Sequence, residues 1–180
     1  PKGHQLRVAV STSYWPLIWP APEAASLQLH SGSLNLPVRR TANRDECSFM
    51  PPASATPWET ETLRPGNNTR RREVNMKTGV VSLVIDDDFG KIRDADHGLI
   101  SGSVARERWD IHPDDPLSAR GACHWTTELE REGIRLRTET HSQMWCDEKN
   151  FHLSARIEAY ENDVEVFSKS EKHSIPRDHL

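Results

Sequence analysis

The stretch "GIRLRTETHSQMWC", residues 133–146, decides the fold class of this chain. Apolar or small side chains, beginning with Ile134 and Leu136, alternate in it with charged or polar ones, beginning with Arg135 and Arg137. A period of two residues is typical of a β-strand that has one buried and one solvated face. The stretch therefore predicts a long strand.

Runs with the same alternation surround this strand, and short polar turns separate them. In chain order the last third reads as strand 117–130, turn Glu132-Gly133, strand 133–146, turn 147–150, strand 151–160, turn Asn162-Asp163 and strand 164–175. Pro176 ends the last run because proline cannot donate to a strand ladder. Four consecutive strands with tight turns predict an antiparallel meander.

The first third shows a similar but interrupted pattern. We predict a strand in residues 4–14, a strand, turn and strand in residues 25–40 with the turn at 31–33, and a hairpin in residues 72–87 with its turn at Thr78-Gly79. Residues 41–68 contain several prolines and no period, so we expect an irregular excursion there. The whole pattern predicts one all-β domain over residues 1–180, built from two facing sheets.

Composition and charge exclude several classes of protein. The chain has 27 acidic and 23 basic residues, a net charge of −4, which gives no general attraction for nucleic acid. It contains no apolar run long enough to span a membrane and no charged-then-apolar leader. Three cysteines without a paired spacing favour a reducing, cytoplasmic location. The chain opens with Pro1, so we expect a piece or a trimmed product of a longer protein.

The sequence offers no candidate catalytic residue. A serine hydrolase of the α/β type carries its nucleophile in a G-x-S-x-G turn, and the nearest string, "GLISG" at residues 98–102, has the wrong spacing. The scattered histidines are interpreted as solvated strand residues. The acidic stretch at residues 86–97 is interpreted as a charged turn, with calcium binding or an interface role as alternatives. We therefore expect no metal and no cofactor.

Residues 13–22, "SYWPLIWPAP", are the most unusual local feature. Prolines fix the backbone around Trp15 and Trp19, so the two indoles sit on a rigid segment. Such a segment can be a buried corner, a platform for a sugar ring or a docking surface, because rigid aromatic groups lose little entropy on binding. A short proline-locked segment cannot bury both indoles and also Leu17 and Ile18, so part of its apolar surface is expected to be exposed.

Five motifs together resemble one known family, the C-terminal domain of the CocE/NonD hydrolases, which includes the X-Pro dipeptidyl-peptidases and bacterial cocaine esterase. The motifs are "LRVAVSTSYWPLIWPAPE" at 6–23, "LNLPVRR" at 34–40, "DDDFGKIR" at 86–93, "IHPDDPLSA" at 111–119 and "VFSKSEKHSIPRD" at 166–178. The resemblance implies a jelly-roll β-sandwich, similar to galactose-binding modules, that here lacks its first strands. It also implies a non-catalytic domain, because the family's Ser-Asp-His triad lies in a separate α/β-hydrolase domain.

The resemblance makes an α/β-hydrolase domain, in the same or a neighbouring chain, the expected partner. The docking anchors are then Tyr14, Trp15, Leu17 and Trp19. The expected function is an accessory sandwich that braces a dipeptidyl-peptidase or acyl-esterase domain and helps to shape its substrate cleft. Alternatives are a stand-alone carbohydrate-binding module that uses exposed tryptophans, and a remnant without activity. Neither nucleic acid nor membrane is expected as a partner, and a homo-oligomer is left open.

Overall fold

The computed structural model of the chain describes residues 3–38 and 47–178. Within these residues there are eight β-strands and no helix, so none of the described residues lies in a helix that could cross a bilayer. The strands are β1 (Thr60–Arg64), β2 (Asn67–Val74), β3 (Val81–Asp94), β4 (Ile100–His112), β5 (Asp115–Arg131), β6 (Ile134–Cys146), β7 (Asn150–Glu161) and β8 (Val164–Pro176). The predicted all-β class is confirmed.

All eight strands belong to one open antiparallel sheet. Its order is β1-β3-β4-β5-β6-β7-β8, and β2 pairs with β3 beyond the end of β1. From β3 to β8 every strand pairs with the next strand in the chain, so the predicted meander is confirmed. An open sheet of this kind is consistent with one layer of a β-sandwich.

The tight turns form where the sequence predicts them. Glu132 and Gly133, between β5 and β6, have φ angles of 53° and 80°. Asn162 and Asp163, between β7 and β8, have φ angles of 50° and 69°. Positive φ at both residues of a two-residue hairpin loop matches the right-handed twist of the strands that the loop joins.

The register gives the sheet one apolar and one polar face, because directly paired residues of antiparallel strands lie on the same face. The apolar face includes the paired row Leu83, Trp109, Gly121, Met144 and Leu153. The polar face includes the paired row Asp86, Arg106, His124, His141 and Arg156.

The strands predicted in residues 4–14 and 25–38 are wrong. In residues 3–38 the structure has no strand, only an isolated bridge between Tyr14 and Ile18. Alternation of apolar side chains predicts which face a strand would bury, but a strand also needs a hydrogen-bonded neighbour. Val10, in the first segment, is 60% exposed. The end of the second segment, residues 39 and 40, lies outside the described residues.

The irregular excursion predicted for residues 41–68 is correct only in its middle. Residues 41–46 lie outside the described residues, and residues 47–59 are irregular as expected. Residues 60–64, however, form β1, and β2 starts at Asn67. Both strands form hydrogen bonds with the same edge of β3, and the proline-rich sequence did not suggest this pairing.

The acidic stretch is not a turn over most of its length, which corrects the prediction. Asp86, Asp87 and Asp88 lie inside β3, and only the residues after Asp94 form a turn. The pairing of β3 with β4 shifts register just after Asp88, where Gly90 has a φ of 85°. A Cβ on that glycine would lie 2.7 Å from the backbone oxygen of Arg64, so the bulge requires glycine.

Candidate functional site

The proline-locked segment, residues 13–22, lies on the apolar face of the sheet. The rings of Trp15 and Trp19 meet edge to face, with centroids 5.0 Å apart and planes at 84°. Trp15 also meets Trp109 of β4 edge to face at 5.8 Å, and Trp19 meets Phe151 of β7 at 5.9 Å. Such aromatic pairs add about 0.5–1.5 kcal/mol each beyond the area they bury. The segment is therefore seated on the sheet by its two tryptophans.

The packing of Trp15 against Trp109 depends on a glycine of β5. Gly121 is paired with Trp109, and a Cβ at this glycine would lie 2.6 Å from the Trp109 ring. The missing side chain leaves the space that the Trp109 ring occupies beside Gly121. The indole N–H of Trp15 is itself buried and has no acceptor in the part of the chain that the structure describes.

Trp19 and the residue after it are held by polar contacts. The indole N–H of Trp19 donates to Sγ of Cys146, the buried last residue of β6, over 3.1 Å. Arg177, only 4% exposed, donates from Nη2 to the backbone oxygen of Pro20 over 2.7 Å and from Nη1 to that of Asp147 over 3.1 Å. Its guanidinium also lies 4.7 Å from the centroid of the Phe151 ring. The C-terminal end of the described chain thus fixes the N-terminal segment to the sheet.

The other apolar side chains of the segment are exposed. Between the two tryptophans the backbone forms a turn in which the Ile18 N–H donates to the Tyr14 carbonyl over 2.9 Å. This turn leaves Tyr14 62% and Leu17 76% exposed, and Ile18 is 60% exposed. Trp15 and Trp19 pack on the sheet and fix the backbone of the turn. The three exposed side chains therefore form an apolar patch on a fixed backbone, the Tyr14–Ile18 patch.

A groove of about 370 Å³ continues from this patch along the apolar face. Pro16, Leu17 and Trp19 form one wall. Small or flexible side chains of the strands, including Met144 and Leu153, form its floor. The groove is mainly apolar, so the exposed patch and the adjoining part of the apolar face make one continuous surface.

The four predicted anchors divide into two pairs. Tyr14 and Leu17 are exposed, whereas Trp15 and Trp19 are half-buried against the chain's own sheet. Sequence reasoning missed the residues that hold the segment, above all Arg177. Its only signal was its place in the "IPRD" ending of a motif that resembles the family, 157 residues away from Pro20.

Titratable groups elsewhere show no activated nucleophile in the described residues. Burial is the first cause that raises the pKa of the Cys123 thiol, which disfavours its reactive thiolate form. The pKa of Asp147 is lowered to about 2, first by a hydrogen bond from His152 and then by the backbone N–H groups of Lys149 and Asn150. The pKa of Asp94 is also lowered, first by the hydrogen bond from the Trp58 indole. Both carboxylates stabilise turns.

One group of side chains has the composition of a metal site. His124, Glu139 and His141 lie together on the polar face, with potential ligand atoms all within 4.8 Å of one another. Sequence reasoning interpreted the two histidines as solvated because the histidines are scattered and lie mostly on the polar faces of predicted strands. Period-two alternation places Glu139 and His141 on one face, but only the register of β5 against β6 brings His124 beside them.

Residues 1–48 match the family model described as the X-Pro dipeptidyl-peptidase C-terminal non-catalytic domain. The matched stretch includes the whole proline-locked segment, and the resemblance stated from the sequence is confirmed there. The strands of the sheet lie outside the match. No curated protein and no solved structure matches the chain.

Proposed function

We propose that this chain is an accessory, non-catalytic β-domain of a serine hydrolase of the X-Pro dipeptidyl-peptidase or acyl-esterase type. In this proposal it docks on the α/β-hydrolase domain, braces it and helps to shape its substrate cleft. The observation that carries the proposal is the Tyr14–Ile18 patch, an exposed apolar turn fixed on a sheet and contained in the stretch that matches a non-catalytic domain of that family.

The patch has the properties of an interface centre. Exposed apolar side chains cost less to order on binding when their backbone is already held, and the contacts of Trp15, Trp19 and Arg177 hold it. Tyrosine is enriched among interface residues that dominate affinity. We therefore assign direct contact with the hydrolase domain to Tyr14 and Leu17, and positioning of the turn to Trp15 and Trp19.

The geometry favours docking over the carbohydrate-binding alternative. Stacking on a sugar needs an open aromatic face, whereas the rings of Trp15 and Trp19 stand at 84° and are packed against each other, Trp109 and Phe151. Both indoles are half-buried. The side chains that remain available are those of Tyr14, Leu17 and Ile18.

Binding to the cognate α/β-hydrolase domain, recognised by its G-x-S-x-G serine, tests the proposal. The double variant Tyr14→Ser/Leu17→Ser should weaken association by at least about thirtyfold, or about 2 kcal/mol, because it removes the interface centre. Its melting temperature should stay that of the unmodified chain, since both side chains are exposed. Leu29→Ser, at another exposed leucine, is the matched control and should bind normally. Unchanged affinity of the double variant would refute the proposed surface.

Cleft shaping has a separate readout. Addition of this chain to the isolated hydrolase domain should change KM for X-Pro amide or ester substrates, and the double variant should not produce that change at the same concentration. If the chain binds but leaves KM unaltered, it braces the enzyme without lining its cleft.

A further inference from the structure

We propose that His124, Glu139 and His141 form a binding site for a divalent transition-metal ion of the zinc type on the polar face of the sheet. The site lies on two adjacent strands, β5 and β6. It uses residues outside the proline-locked segment and does not depend on the proposed docking function.

The strand register builds the cluster. His124 of β5 is directly paired with His141 of β6, and their rings stack with centroids 4.1 Å apart and planes at 12°. Glu139 stands two residues before His141 on the same face of β6 and is paired with Thr126. The Nε2 atom of His124 lies 2.5 Å from Oε2 of Glu139. Three donors from two rigid strands therefore converge without any loop.

The carboxylate is held by outer partners in the way that metal ligands usually are. The Thr126 hydroxyl donates to Oε2 of Glu139 over 2.7 Å, and the Arg137 guanidinium donates to Oε1 over 2.5 Å. Oε2 lies against Nε2 of His124, and an ion bound there would replace this hydrogen bond while the Thr126 hydroxyl still orients the carboxylate.

The donor set selects the class of ion. Two imidazoles and one carboxylate suit zinc and its first-row neighbours, whereas calcium and magnesium prefer sites made of oxygen alone. Tetrahedral zinc with ligand bonds of about 2.0–2.1 Å holds its ligand atoms about 3.3 Å apart. The wider of the present separations, which reach up to 4.8 Å, therefore contract on binding, and the 2.5 Å between Nε2 of His124 and Oε2 of Glu139 lengthens as their hydrogen bond is replaced by bonds to the ion. His141, which is exposed, can turn its ring out of the stack to aim a nitrogen at the ion.

Charges of both signs surround the cluster: Arg106 of β4 is paired with His124, and Arg156 of β7 is paired with His141. Glu158 of β7 is paired with Glu139, so two carboxylates face each other across β6 and β7. Arg137 and Arg156 each bond one of them and offset part of this repulsion. A divalent ion between the histidines and Glu139 offsets more of it. With three protein ligands, the fourth position is left to water.

Metal binding to the full 180-residue chain, stripped with a chelator and free of any tag, tests the site. Titration calorimetry should detect one Zn²⁺ per chain, and Co²⁺ should give the visible absorption of a tetrahedral complex. His141→Gln should weaken Zn²⁺ binding by more than about 100-fold, beyond the effect of outer partners. Thr126→Val should weaken it by about 10- to 100-fold, because the hydroxyl only orients Glu139.

Two variants control for other ligands. His152→Gln removes another histidine of the polar face that bonds a carboxylate, Asp147, and should leave Zn²⁺ binding unchanged. Cys47→Ser removes the exposed thiol and should also have no effect. Circular dichroism confirms that each variant retains the sheet. Absence of stoichiometric Zn²⁺ binding by the unmodified chain, or binding that survives His141→Gln, would overturn the proposal.

Discussion

The indole N–H of Trp19 donates a hydrogen bond to Sγ of Cys146 over 3.1 Å, joining residues 127 positions apart. The equivalent atom of its neighbour Trp15 is buried without an acceptor among the described residues. The two tryptophans therefore pack on the sheet in the same way, but only Trp19 satisfies its indole N–H with a hydrogen bond. Substitutions at the two positions should reveal this difference.

Substitution of each tryptophan by phenylalanine should therefore have unequal effects. Trp15→Phe and Trp19→Phe remove the same ring volume. Trp15→Phe also removes a buried donor without an acceptor, and such a donor destabilises the folded state by about 1–3 kcal/mol. Trp19→Phe instead removes a hydrogen bond that stabilises the folded state. We expect Trp19→Phe to lower the free energy of unfolding by at least about 1 kcal/mol more than Trp15→Phe does. Urea denaturation of both variants measures the difference. Equal losses would mean that the Trp19–Cys146 contact contributes nothing.

The packing of Trp15 against Trp109 can be tested through Gly121, because the ring of Trp109 lies beside this glycine. Gly121→Ala places a Cβ 2.6 Å from that ring, so Trp109 must move, and overpacking of this kind costs about 1–3 kcal/mol. We expect a lower melting temperature and a change in tryptophan fluorescence, because Trp109 contacts Trp15. The control is Gly32→Ala, whose added Cβ meets nothing within 4 Å. If the Gly121 variant melted like the control, the ring would not be packed there.

Acid should weaken the turn between β6 and β7 through Asp147. Its folded-state pKa of about 2 lies below the unfolded value of about 3.9. A carboxyl with a lowered folded pKa stabilises the fold fully above the unfolded pKa, and this contribution is lost as the pH falls through the folded pKa. Between about pH 4 and pH 2 the unmodified chain should therefore lose stability more steeply than Asp147→Asn.

Denaturation at several pH values gives this comparison. Asp114→Asn, at an exposed turn position, is the control and should follow the unmodified chain. Parallel pH dependence of Asp147→Asn and the unmodified chain would show that the carboxylate does not stabilise the folded state.

The sequence predicts the meander because each of its strands shows alternating apolar and polar side chains and is followed by a recognisable turn or end. Ile134–Cys146 is strand as expected, and the Asn162-Asp163 turn has the required positive φ angles. The same alternation around Val8 and Val10 misleads, because no strand of the described sheet pairs with that segment. Local pattern specifies the conformation that a segment can adopt, whereas pairing depends on the rest of the chain.

The candidate site was predictable only where it is local. Proline spacing indicates that Leu17 and Ile18 cannot be buried along with both tryptophans, and both are exposed. The contact of Arg177 with Pro20 joins two irregular segments 157 residues apart, and the approach of His124 to Glu139 depends on strand register. A one-residue change of register would move those side chains to the other face, so no single segment encodes them.

The acidic stretch of β3 supplies the last prediction, that calcium does not stabilise this chain. Successive side chains of a strand point to opposite faces, so Asp87 cannot join Asp86 and Asp88 in one cage. Each of the three also has an arginine partner: Arg71 for Asp86 at 2.7 Å, Arg70 for Asp87 at 3.2 Å and Arg64 for Asp88 at 3.0 Å. A calcium ion would have to displace these guanidinium groups.

Millimolar calcium should therefore leave the melting temperature unchanged. A site filled at a hundredfold excess over its Kd would add about 2.7 kcal/mol to the free energy of unfolding, which a thermal melt detects easily. Magnesium at the same ionic strength controls for screening of the surface ion pairs. The variant Arg71→Gln/Arg64→Gln removes the nearest arginine partners of Asp86 and Asp88, which share the polar face, and shows whether these two guanidinium groups exclude the ion. A rise in melting temperature specific to calcium in the unmodified chain would contradict the prediction and favour a binding-module function.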